Sequence, residues 1–67
     1  MLYAVITTSS RTWKYKAWDY YSIYDKLMKL SKNNHPLCND AARWCEFASV
    51  GEIYDTDKFD WRIEIQE

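Results

Sequence analysis

From Phe59 to Gln66 the chain alternates without a break, with Phe59, Trp61, Ile63 and Ile65 on one side and Asp60, Arg62, Glu64 and Gln66 on the other. Successive side chains of a strand point to opposite faces. This register therefore describes an antiparallel strand with one buried and one wet face. The remainder of the chain has to supply its neighbours and a layer to cover its apolar side.

Residues 2–7 (LYAVIT) are rich in β-branched and apolar types and read as a first strand. Leu2, Ala4 and Ile6 share one face, and Tyr3, Val5 and Thr7 the other. Thr8-Ser9-Ser10-Arg11 is a turn by composition. A second strand over 12–18 sets Trp13, Tyr15 and Ala17 against Lys14, Lys16 and Trp18, and a hairpin is the simplest connection.

Asp19 is placed to cap a helix whose apolar face is Tyr20, Ile23, Tyr24, Leu27, Met28 and Leu30. Lys26, Lys29 and Lys32 fall toward its C-terminal end, where cations suit the helix dipole. Asn33-Asn34-His35-Pro36 is expected to end it. Asn39 reads as the cap of a second helix with Ala41, Trp44, Cys45 and Ala48 in a narrow stripe and Gly51 as its C-terminal cap. A short strand over 52–54 and a polar turn over 55–58 lead into the final strand. The expected fold class is α+β: a single domain over residues 1–67, order β-β-α-α-β-β, with two helices on one face of a small antiparallel sheet.

Sixty-seven residues make a marginal domain, because a chain of about 60 buries only about 60% of its unfolded surface. A staple or a partner is the usual remedy. If Cys38 and Cys45 share a helix, seven residues separate them by about 10.5 Å of rise. That exceeds the disulfide limit of about 7 Å between Cα atoms, so a bridge requires Cys38 in the preceding loop. The first eight residues lack the basic flank of a signal peptide, and no apolar run approaches the roughly 20 residues of a membrane span. A cytoplasmic setting with reduced thiols and a homo-oligomer, dimer or higher, are the expectations.

The net charge of −1 conceals an asymmetry. Residues 1–38 carry six cations against two carboxylates, a net +4, and residues 39–67 carry three against eight, a net −5. The halves attract each other, and the acidic one disfavours a long phosphate track, so extended nucleic acid is not an expected partner.

Twelve residues are Trp, Tyr or Phe and only one is Gly. Each ring buries about 150–250 Å², more than a core this small has room for across all twelve. Tyr20, Tyr24, Trp44, Phe59 and Trp61 have a natural home inside, Phe47 is undecided, and Tyr3 and Tyr54 fit either place. The surplus lies in Arg11, Trp13, Lys14, Tyr15, Lys16, Trp18 and Tyr21, where basic and aromatic residues interleave. Rings stack on nucleobases and cations neutralise phosphate, so these seven form the candidate ligand site. The competing reading packs Trp13 and Tyr15 under the helices and leaves Lys14 and Lys16 to keep an edge strand soluble.

Catalysis has little to stand on. His35 is expected in a loop without a partner, and a Cys38–His35 pair has nothing nearby to orient the base or form an oxyanion hole. The two cysteines and the histidine match no zinc spacing, and the carboxylates at 55, 57 and 60 lack the glycine and distal glutamate of a calcium loop. No cofactor or metal is expected, and the chain reads as a binding protein rather than an enzyme. One form of it sequesters a nucleotide-like ligand at a homo-oligomer interface. The other occludes a protein partner through an aromatic patch, steered by its acidic half.

The chain opens on a strand at Met1, carries Tyr24-Asp25-Lys26-Leu27-Met28-Lys29-Leu30 on an amphipathic helix, and runs from Ala42-Arg43-Trp44-Cys45-Glu46-Phe47 through Gly51-Glu52 into a C-terminal hairpin. In this it resembles the small orphan proteins of bacteriophages and other mobile elements, over its whole length but through no diagnostic motif. The resemblance implies a counter-defence role in a host cytoplasm, by sequestering a nucleotide-derived immune signal or by occluding a host defence protein. It transfers no binding residue.

Overall fold

The computed structural model describes residues 1–31, 35–55 and 60–67, with the side chain of His35 also left undescribed. Lys32, Asn33, Asn34, Lys58 and Phe59, and the centre of the polar turn at 55–58, lie outside the described residues. The elements are β1 (Tyr3–Thr8), β2 (Thr12–Lys16), α1 (Tyr20–Leu30), α2 (His35–Phe47), β3 (Ile53–Asp55) and β4 (Trp61–Gln66). All strand pairs are antiparallel, in the order β2-β1-β4-β3.

The register explains which face is dry. Ile6 sits between Trp13 of β2 and Ile63 of β4, and Ile63 lies opposite Tyr54 of β3. One row away, Ala4 sits between Tyr15 and Ile65. Ala4, Ile6, Trp61, Ile63 and Ile65 are buried together with Ile23 and Leu27 of α1 and Cys38, Ala41, Ala42 and Cys45 of α2. Both helices thus cover this one face. The other face carries Tyr3, Val5, Lys14, Lys16, Arg62 and Glu64, partly or fully exposed.

Capping follows the local chemistry at the start of α1. The Asp19 carboxylate accepts from the Ser22 amide at 3.2 Å and from its hydroxyl at 2.7 Å, and these bonds hold its pKa below the ordinary carboxylate value. The helix stops earlier than the sequence suggests: Ser31 caps it, its amide donating to the Leu27 carbonyl at 2.9 Å.

Three local expectations are corrected. First, the second strand ends at Lys16, because a turn in which the Asp19 amide donates to the Lys16 carbonyl at 3.2 Å redirects the chain through Ala17 and Trp18 into α1. Second, α2 begins at His35, so His35 and Pro36 open it and Asn39 lies inside it. Pro36 in the first turn breaks nothing, since an amide there has no intrahelical acceptor. Third, Gly51 stands four residues beyond the end of α2, at φ 93°, and its amide donates to the Ile65 carbonyl at 2.9 Å. It shapes the turn that lays β3 beside β4.

Cys38 and Cys45 are therefore both on α2, both buried, and both free thiols. The Cys38 sulfur exchanges a hydrogen bond with the Ser31 hydroxyl at 2.6 Å, joining the end of α1 to the start of α2. The Tyr20 hydroxyl, donating to Asn39 Oδ1, ties the start of α1 to α2.

Candidate functional site

The seven residues singled out in the sequence do not share a face. Trp13 and Tyr15 point to the dry side of the sheet and pack, half-buried, against the core. Lys14 and Lys16 alternate with them and so project to the open side. Arg11 lies in the β1–β2 turn, Trp18 in the turn before α1, and Tyr21 on α1.

The interleaving of cations and rings has a local use. The Lys26 ammonium of α1 stands 4.2 Å from the Trp13 ring centre and 5.9 Å from that of Tyr15. Arg11 approaches Trp13 at 5.6 Å, Lys14 approaches Tyr3 at 4.7 Å and Lys16 approaches Trp18 at 5.7 Å. A cation within about 6 Å of a ring centre is attracted to its quadrupole, for about 0.5–1 kcal/mol where exposed. On the far side of the core, Tyr54 contacts Trp44 at 5.4 Å and stacks on Trp61 at 6.2 Å, an aromatic wall under β3.

What remains is a pair of rings with no such cover. Tyr21 is 77% exposed and Phe47 80% exposed. They line a cleft of about 440 Å³ together with Tyr20, Arg43 and Glu46. The helices run antiparallel here, so that the first turn of α1 meets the last turn of α2. Tyr20 forms the floor: its ring meets Tyr21 edge-on at 5.2 Å, stacks on Tyr24 at 5.9 Å, and is held by Asn39 through its hydroxyl. Arg43 and Phe47 are one helical turn apart, about 6 Å of rise, and Glu46 stands between them in sequence. Neither Arg43 nor Glu46 makes an ion pair or side-chain hydrogen bond with another described residue.

Of the sequence candidates, only Tyr21 belongs to this cleft. Phe47, Arg43, Glu46 and Tyr20 were not in the candidate set. The signal that finds Phe47 is its helical angle: it lies nearly opposite the stripe formed by Cys38, Ala41, Ala42 and Cys45, where a large ring has no core to enter.

Burial pushes the Cys45 thiol up to about 12, so it stays protonated. Among the described residues no group of three or more His, Cys, Asp or Glu is placed to hold a metal ion, and no helix is long and apolar enough to cross a membrane. Comparisons with protein-family models, with curated proteins and with solved structures find no match to this chain.

Proposed function

We propose that the protein is a non-enzymatic binding domain that sequesters a small planar anion, of the nucleotide class, in the Tyr20–Tyr21–Arg43–Glu46–Phe47 cleft. The observation that carries this reading is the exposure of Tyr21 and Phe47 in the lining of a cleft that also holds the Arg43 guanidinium, which no other described residue pairs. Its volume of about 440 Å³ falls within the roughly 300–1,000 Å³ of small-molecule sites. Stacking between two rings supplies affinity, and Arg43 supplies charge recognition of phosphate. This moves the binding role from the β2 residues, whose rings meet Lys26 and Arg11, to the helix pair.

Because both rings open outward, one domain covers one side of a ligand, and a second copy of the chain, in a dimer or higher homo-oligomer, closes the other. A phage-type counter-defence protein that soaks up a nucleotide-derived signal in the cytoplasm of its host is the biological role that fits. Trp18 at 47% exposure and Val50 at 54% add apolar surface beyond the cleft. They favour a second reading in which the same rings anchor a host protein.

Thermal shift against mono-, di- and cyclic nucleotides tests the proposal. A ligand at about 100 times its Kd adds about 2.7 kcal/mol, which raises the melting temperature of a domain this small by roughly 10–20 °C. Phe47→Ala and Tyr21→Ala should each weaken binding about 5- to 150-fold, the worth of one stacked base. Their circular dichroism should match that of the parent, because both rings lie outside the core. Light scattering on a sizing column should show an oligomer in the presence of ligand. Absence of any shift across the panel sinks the ligand reading and leaves the protein-partner one.

A further inference from the structure

The two polar groups of the cleft have opposite charge, and one cation would suffice for an anion. Glu46 is therefore unexplained by phosphate binding, and next to a phosphate it is unfavourable. It stands one residue from Phe47 on the same turn of α2, beside the ring on which a base would stack. It is exposed and makes no hydrogen bond to another described residue, so both its oxygens are available as acceptors.

A carboxylate at the edge of a stacked base discriminates among bases by their donors. Guanine presents two adjacent donors on its Watson–Crick edge, N1–H and the exocyclic N2 amine, at a spacing the two carboxylate oxygens accept side by side. Adenine and cytosine each offer one amine next to a ring-nitrogen lone pair, which the second oxygen would oppose. Uracil offers a single N–H flanked by two carbonyls. Among the common bases only guanine satisfies an ionised carboxylate at both oxygens, and unmatched bases leave it facing a lone pair.

Resting on the reading of the cleft as a nucleotide site, we infer that Glu46 selects guanine, with Tyr21 and Phe47 holding the base and Arg43 the phosphate. The two charges then act on opposite ends of one ligand. The acidic group repels the phosphate away from the base-reading end, and this fixes the direction in which the nucleotide lies across the cleft.

Calorimetric titration of the full chain with GMP, IMP, AMP and guanosine tests the assignment. GMP should bind about 5- to 150-fold more tightly than AMP, the discrimination of one bidentate base contact. IMP, which keeps N1–H but lacks the N2 amine, should fall between them. Glu46→Gln replaces two acceptors with one acceptor and one donor, the complement of adenine's edge, so the GMP-to-AMP ratio should collapse toward one or invert. Arg43→Ala should weaken GMP while leaving guanosine unchanged. Glu46 lies outside the core, and an unaltered unfolding midpoint for Glu46→Gln checks that the fold is intact. Equal affinities for GMP and AMP, or a preference that survives Glu46→Gln, overturn the guanine assignment. In that case a loss of both ligands in Phe47→Ala still upholds the stacking cleft. Failure of all four probes to bind overturns both.

Discussion

Gly51 is the residue whose identity the backbone dictates most directly. Its φ of 93° lies where a Cβ clashes with the local backbone, although no atom outside its neighbours would come within 4 Å of that Cβ. The cost of a side chain here is thus conformational strain and nothing else. Gly51→Ala should destabilise the domain by about 1–2 kcal/mol, measured by urea denaturation. A loss below a few tenths of a kcal/mol would show that the turn relaxes to another conformation. Its role was only half legible in the sequence. A lone glycine after a helix reads as that helix's cap, and only the pairing of its amide with Ile65 shows that it serves the sheet.

At the scale of elements, β2 and α1 explain why the aromatic surplus was misplaced. Among the described residues, seven of the thirteen buried apolar side chains are alanine or cysteine: Ala4, Ala17, Cys38, Ala41, Ala42, Cys45 and Ala48. A core of small residues draws the helices close and leaves its margins free for large rings, so Trp13 and Tyr15 find partial burial that a count of side chains does not foresee. The lysine that covers them, Lys26, comes from another element, and no spacing along the chain reveals that meeting. By contrast the pairing of β1 with β2, the Asp19 cap and the alternation from Trp61 to Gln66 are local patterns, and the structure has each of them. Pro36 misled for a different reason: the same residue ends one helix and suits the first turn of the next. It follows that Trp13→Ala should cost roughly 2–3 kcal/mol of stability, somewhat less than the 3–5 of a fully buried ring, while Trp18→Ala, which loses the contact with Lys16, stays within about 1 kcal/mol. Lys26→Ala should cost about 0.5–1 kcal/mol through the lost ring contact, and Lys29→Ala, exposed on the same helix, almost nothing. Equal midpoints for Lys26→Ala and Lys29→Ala in chemical denaturation would remove the cation–ring contact from the account.

On the scale of the whole molecule, the order β2-β1-β4-β3 puts the first and last strands side by side at the centre of the sheet. The basic N-terminal half contributes β1, β2 and α1, and the acidic C-terminal half β3, β4 and most of α2, so the two halves meet across β1–β4 and across the helix pair. Neither half has a core without the other: Ala4 and Ile6 come from one, Ile63 and Ile65 from the other, and both helices lie over all four. Folding should therefore be a single cooperative event. At roughly 0.05–0.15 kcal/mol per residue, the total stability of a chain this length is about 3–10 kcal/mol. Ile63 and Ile53 probe the one-sided cover of the sheet, because they sit on neighbouring strands but face opposite ways. Ile63 is fully buried between Ile6 and Tyr54, whereas Ile53 lies opposite Glu64 on the open face and is 46% exposed. Ile63→Ala removes about 2–5 kcal/mol, enough to leave a substantial unfolded population at 37 °C. Ile53→Ala should shift stability by less than about 1 kcal/mol. If the two substitutions cost the same, the open face is covered in solution, and the second copy of the chain would then have to dock there rather than over the Tyr21–Phe47 cleft.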